Sequence, residues 1–111
     1  MEIKVETRAE VAIVQVIGDL DGSTAPVAQQ QILAWAKPGC KMVLDMTHVG
    51  FMSSSGLRAL LGIYRQISNN QGRLLLLGLS EELQDTMSTT GFLKYFSTCG
   101  TLEEALAALA K

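Results

Sequence analysis

The spacing of apolar residues changes period along the chain, and each change marks a new element. Ile3, Val5 and Thr7 alternate with Glu2, Lys4, Glu6 and Arg8, the two-residue period of a half-covered strand. Val11, Ile13, Val14, Val16 and Ile17 form a denser β-branched run, predicting a second strand. Only Ala9-Glu10 lies between them, and so short a link predicts an antiparallel pair. A polar, Gly-flanked loop follows, Gly18-Asp19-Leu20-Asp21-Gly22-Ser23. Thr24 and Pro26 suit the start of a helix running to about Trp35, which Lys37-Pro38-Gly39 ends. Trp35 and, further on, Met87 read as core residues.

Past residue 40 strand and helix patterns alternate. An apolar strand covers 41–46, and Phe51-Met52-Ser53-Ser54-Ser55-Gly56-Leu57 joins it to a long amphipathic helix from about Ser55 to Asn70. Leu57, Leu60, Leu61, Tyr64 and Ile67 give that helix a buried stripe, with Arg58, Gly62, Arg65 and Asn69 on another face. Asn69-Asn70-Gln71-Gly72 stops it, and the unbroken run Leu74 to Leu77 predicts a strand covered on both faces. Ser80-Glu81-Glu82 opens a third helix, with Leu83 and Met87 inward, that stops near Gly91. Tyr95-Phe96-Ser97 suits a short last strand. Thr101-Leu102-Glu103-Glu104 is a capping box for a final helix whose stripe is Leu102, Ala105, Leu106 and Leu109. The sum is an α/β domain over residues 1–111: a mixed β-sheet of four to five strands with about four α-helices packed against it.

Composition narrows the function. A chain of 111 residues buries roughly two-thirds of its unfolded surface, enough for a core without staples. Nine Lys and Arg against eleven Asp and Glu leave a net charge of −2, without the basic excess that nucleic acid demands. No apolar run approaches the roughly 20 residues needed to span a bilayer, and the acidic N-terminus has no signal-peptide stretch, so a cytoplasmic protein is expected. Cys40 and Cys99 read as two reduced thiols, and with one histidine, His48, they make no metal site without help from carboxylates.

The three serines at 53–55 carry the most chemistry. One hydroxyl caps the helix, which leaves two unexplained. At a helix N-terminus a phosphate is tolerated by the fold, and Arg58, one turn beyond Ser54, is placed to neutralise part of its charge. A serine nucleophile would need His48 as base and Asp45 or Asp21 to orient it, but the Gly-x-Ser-x-Gly pattern is absent. Asp19 and Asp21 invite an acid–base or Mg²⁺ reading, against which stands the commoner role of carboxylates in such loops as Asx-turn formers; Asp21 is also a candidate partner contact. Gly78 belongs to no phosphate-binding motif.

These motifs together resemble the STAS domain, in particular the stand-alone bacterial anti-sigma factor antagonists. Gly18-Asp19-Leu20-Asp21 is similar to the family's Gly-Glu-Leu-Asp loop, and Thr24-Ala25-Pro26 to the helix start after it. Val43-Leu44-Asp45-Met46 with residues 51–57 resembles its strand and Asp-Ser-Ser/Thr-Gly-Leu phosphorylation loop, and Thr101 to Leu106 its usual ending. One position departs: Ser53 stands where the family commonly has Asp.

The resemblance implies a STAS fold and a non-enzymatic partner switch. Aligned on Ser-Gly-Leu, Ser54 is the phosphate acceptor, with Ser53 and Ser55 as neighbouring hydroxyls, and Asp21, Ser53, Ser55, Gly56 and Arg58 form the partner surface. The implied partners are an anti-sigma factor serine/threonine kinase of the GHKL type and a PPM-type (PP2C-like) phosphatase, with no cofactor. The competing readings are an unphosphorylated STAS scaffold in a signalling or lipid-transport assembly, and a small enzyme or nucleotide-binding module.

Overall fold

The computed structural model describes residues 1–110. Strands β1 (Glu2–Arg8) and β2 (Val11–Ile17) form the expected antiparallel hairpin. Its turn residues Ala9 and Glu10 both have positive φ, 53° and 67°, the type I′ geometry that matches the twist of the flanking strands. Then come α1 (Ala25–Leu33), β3 (Lys41–His48), α2 (Ser54–Asn69), β4 (Arg73–Leu77), α3 (Glu81–Thr89), a 3-10 turn (Leu93–Tyr95), β5 (Ser97–Cys99) and α4 (Leu102–Leu109). The sheet order is β1-β2-β3-β4-β5, with every pair after the hairpin parallel. Parallel neighbours need crossovers, and the helices supply them.

The sheet separates two cores. On one side Val14, Val16, Met42, Leu44, Met46 and Leu76 pack under α1, α2 and α3, meeting Ala28 and Ile32, Leu57, Leu60, Ile63 and Ile67, and Leu83 and Met87. On the other, Val11, Ile13, Val43, Leu75 and Leu77 meet Ala105 and Leu109 of α4. Successive leucines of β4 thus serve opposite faces, as its unbroken apolar run requires. Because parallel strands run the same way, the C-terminal ends of β2 and β3 share one edge of the domain, where the acidic loop and the serine loop emerge.

Four sequence expectations need correction. Trp35 is 41% exposed: the helix ends at Leu33, and the buried residues near its end are Ile32 and Ala36. The buried stripe of α2 is Gly56, Leu57, Ala59, Leu60, Ile63 and Ile67; Leu61 and Tyr64 are half-buried, and Tyr64 packs edge-on against Phe96 at 5.3 Å between ring centres. Tyr95 closes the 3-10 turn, and the last strand starts at Ser97, two residues later than its aromatics suggest. In the box before α4 the Thr101 hydroxyl accepts from the Glu104 amide at 3.2 Å, but the Glu104 carboxylate accepts from that hydroxyl instead of from the Thr101 amide.

Glu10 occupies left-handed backbone without being glycine, a conformation that costs an L-residue about 1–2 kcal/mol. Glu10→Gly removes that cost and gives back part of it as unfolded-chain entropy, so urea denaturation should show the variant more stable by about 0.5–1 kcal/mol.

Candidate functional site

Beyond a register shift near Gln15 and Ile17, the chain segments leaving β2 and β3 stay paired. The Gly18 amide donates to the His48 carbonyl at 3.1 Å, the Leu20 amide to the Phe51 carbonyl at 3.0 Å, and the Ser53 amide to the Leu20 carbonyl at 2.9 Å. Leu20 and Met52 form a parallel bridge, and both side chains are buried. Gly56, in the first turn of α2, lies directly over this bridge. A Cβ there would stand 2.6 Å from the Leu20 carbonyl oxygen and 2.6 Å from Met52 Cγ. Glycine is required because backbone passes over backbone.

The serines divide their work. Ser53 is the N-cap of α2: its backbone is extended, and its Oγ accepts from the Gly56 amide at 3.4 Å. Ser54 is the first helical residue and is exposed. Ser55 is half-buried and faces Gly22 of the acidic loop. The amides of Ser54 and Ser55 have no intrahelical carbonyl to meet. Charge is missing here too. Helices α3 and α4 carry Glu81 and Glu82, and Glu103 and Glu104, in their first turns, whereas α2 has no acid in its own. Its positive end stands uncompensated.

Asp21 sits across from the serines and opens α1. Its carboxylate accepts from the Ser23 hydroxyl at 2.7 Å, the Ser23 amide at 2.9 Å and the Thr24 amide at 3.1 Å, and these bonds, the Ser23 hydroxyl foremost, hold its pKa below the ordinary carboxylate value. This is the Asx-turn role, and among the described residues no three His, Cys, Asp or Glu cluster as metal ligands. Arg58 is exposed and, among the described residues, has no acidic partner. A groove of about 220 Å³ between α1 and α2 is lined by Gly22, Pro26, Gln29, Ser55, Arg58 and Ala59. Asp21, Ser53, Ser54, Ser55, Gly56 and Arg58 thus belong to one edge of the domain. The nucleophile arrangement does not assemble: the Asp45 carboxylate is taken by the amide and hydroxyl of Thr47, and His48 bonds to no serine among the described residues.

Residues 2–105 match the family model of the STAS domain. The chain belongs to the STAS family. It is 32% identical over 77 residues to the anti-sigma-B factor antagonist of Listeria monocytogenes, covering 68% of each chain. Among solved structures it is similar to an anti-sigma factor antagonist from Mycobacterium paratuberculosis, with a TM-score of 0.87, 29% identity, and 99% of this chain and 94% of the other covered. The fold is shared with the phosphorylated form of the Bacillus cell fate determinant SpoIIAA, at a TM-score of 0.71 and 23% identity, with 96% and 98% covered. STAS domains of this group are regulatory binding proteins and not enzymes. Among the described residues no helix is long and apolar enough to cross a membrane.

Within this STAS loop, Ser53 replaces the usual Asp yet performs the capping that Asp also performs. Sequence reasoning missed Phe51, which is 55% exposed beside the serines, and the α1 side of the groove, Pro26 and Gln29. A large aromatic directly after Gly50 and two residues before a serine run was the available signal for Phe51.

Ser53→Ala should cost about 1 kcal/mol by loss of the cap, whereas Ser54→Ala should change stability by less than about 0.5 kcal/mol; thermal or urea denaturation separates them. Asp21 has a lowered folded pKa, so its contribution is complete above the unfolded value near ~3.9 and is lost as pH falls through the folded value. The stability gap between the native chain and Asp21→Asn should therefore be widest near neutrality and close on acidification, read from urea midpoints at successive pH.

Proposed function

We propose that this STAS domain is an anti-sigma factor antagonist switched by phosphorylation of Ser54. The observation that carries the reading is the isolation of the Ser54 hydroxyl: it is exposed in the first turn of α2 while Ser53 already supplies the cap. Modification there breaks no bond of the fold. The names of the related antagonists from Listeria and Mycobacterium support the role, and the phosphorylated form of SpoIIAA indicates that this fold accommodates the modification.

The chemistry follows from charge. Phosphoserine brings about −1.5 to −2 at neutral pH and three acceptor oxygens. In this chain the uncompensated end of α2 and the exposed guanidinium of Arg58 offset it locally. A partner seated over Ser54, Ser55, Arg58 and Asp21 would have to bury the dianion, which disfavours the complex without altering the domain. In this reading the unmodified chain holds a GHKL-type anti-sigma factor kinase in the cytoplasm, the kinase ends its own capture by phosphorylating Ser54, and a PPM-type phosphatase reverses it. Ser53 and Ser55 are the other hydroxyls the kinase could reach.

Phosphopeptide mapping of the chain from its native cells should find phosphate on Ser54, lost in Ser54→Ala. Against the co-purifying kinase, Ser54→Ala should bind as the native chain does, and Ser54→Asp at least about tenfold more weakly, a difference of about 1.4 kcal/mol. Equal binding by the two variants, or no modified serine from 53 to 55, contradicts the proposal.

A further inference from the structure

The longer of the sheet's two edge strands is β1, seven residues long and bonded on one side only, against three residues in β5. Exposed edges are normally blunted by proline, a bulge, a covering segment or charged side chains. Strand β1 has no proline, is continuously paired to β2, and carries only the last, Glu2, Lys4, Glu6 and Arg8, which pair along the strand as Lys4–Glu2 at 4.0 Å and Arg8–Glu6 at 3.2 Å. Its hydrogen-bonding phase follows from the turn. A type I′ turn closes on a bonded pair, here Arg8 and Val11, so Arg8, Glu6, Lys4 and Glu2 direct their backbone groups to β2. The amides and carbonyls of Ile3, Val5 and Thr7 therefore face outward. The side chains alternate the other way: Ile3 and Val5 pack against the helical core, while Lys4 and Glu6 line the opposite face of the sheet with Ile13, Gln15 and Asp45.

We infer that β1 pairs antiparallel with β1 of a second copy, about a two-fold axis at Val5. In that register the outward-facing backbone groups meet one another, Ile3 with Thr7 of the second copy and Val5 with its own mate, closing six hydrogen bonds. The charged residues then fall in the close, non-bonded pairs, and every pair has opposite signs: Glu2 against Arg8, Lys4 against Glu6, and the same again by symmetry. The register one step either way fails. It places Lys4 opposite Lys4 and Glu2 opposite Glu6, or Glu6 opposite Glu6 and Lys4 opposite Arg8. The edge is thus self-complementary in one register and self-repelling in its neighbours, which is how a closed two-fold interface is specified.

The helical layer agrees. Pro26 and Gln29 of α1 face α2, so the flank bearing Val27 turns away from α2, on the side where α1 meets β1, and Trp35 follows just past the helix end. Both are large apolar side chains left exposed, at 46% and 41%. A two-fold normal to the sheet puts both helical layers on the same side, so these flanks would cover each other above the seam. The pair is a continuous ten-stranded sheet whose serine loops point to opposite ends, both open. Nothing in this depends on whether Ser54 is phosphorylated.

Sedimentation equilibrium of the full chain, up to about 1 mM, tests the pairing. Lys4→Glu sets two carboxylates against each other twice per dimer, and Glu6→Lys does the same with two ammonium groups. Each variant alone should therefore self-associate roughly tenfold or more weakly than the native chain. Mixed together they restore opposite signs in every pair, because both carboxylates of the Lys4→Glu strand then face ammonium groups of the Glu6→Lys strand. The mixture should form a heterodimer of near-native affinity. Hydrogen exchange should show the Val5 amide protected in the mixture and open in either variant alone. A native chain that stays monomeric throughout, single variants that associate as tightly as the native chain, or a mixture no tighter than its components overturns the inference.

Discussion

The site depends on one close approach, that of the first turn of α2 to the Leu20 carbonyl. That carbonyl accepts from the Ser53 amide, the Leu20 amide donates to Phe51, and Gly56 passes above with no room for a Cβ. Two loops from different strands are thereby clamped into one surface. Without the clamp, Asp21 and the serines would belong to independent loops, and a partner would pay the entropy of ordering them. The mobile-looking part of the sequence, polar and rich in Ser and Gly, is held by backbone bonds and two buried side chains, Leu20 and Met52.

Under the proposed switch, charge added at Ser54 leaves the domain beneath that surface unchanged. Helix α2 buries Leu57, Leu60, Ile63 and Ile67 against the sheet, while its N-terminal residue, Ser54, is exposed. The absence of acids in this first turn, unlike those of α3 and α4, leaves the helix end able to take a negative charge. In the proposed switch a local charge changes what binds while leaving the packing below it alone.

Much of this was legible in the sequence because apolar periodicity is set by burial. The unbroken leucines of β4 announced a strand covered on both faces, and the two-residue link at Ala9-Glu10 announced the hairpin. Trp35 is exposed although large and apolar, because size and hydrophobicity do not encode where a helix ends. Past Leu33 the chain tightens, with the Trp35 and Ala36 amides donating to the Ile32 and Leu33 carbonyls, and it is Ala36 that is buried. The aromatics at 95–96 favoured a strand by propensity, but Tyr95 closes a 3-10 turn and packs near Tyr64 at 6.1 Å. At the site, the residue types were readable but their division was not. Which serine caps depends on where the backbone turns from extended to helical, and that is fixed by contact with Leu20, which belongs to a different loop. The groove wall from α1 is equally non-local.

The most direct test of the central claim, that charge at Ser54 acts on the surface and not on the fold, is an amide NMR comparison of the unmodified chain with one carrying phosphoserine at 54. The account predicts shifts confined to the first turn of α2, the Asp21 loop and Arg58, with the resonances of β3, β4 and the core face of α2 unmoved. Shifts or exchange broadening spread through Met42, Leu44, Ile63 and Ile67 would contradict it, because phosphate would then be acting by repacking the domain.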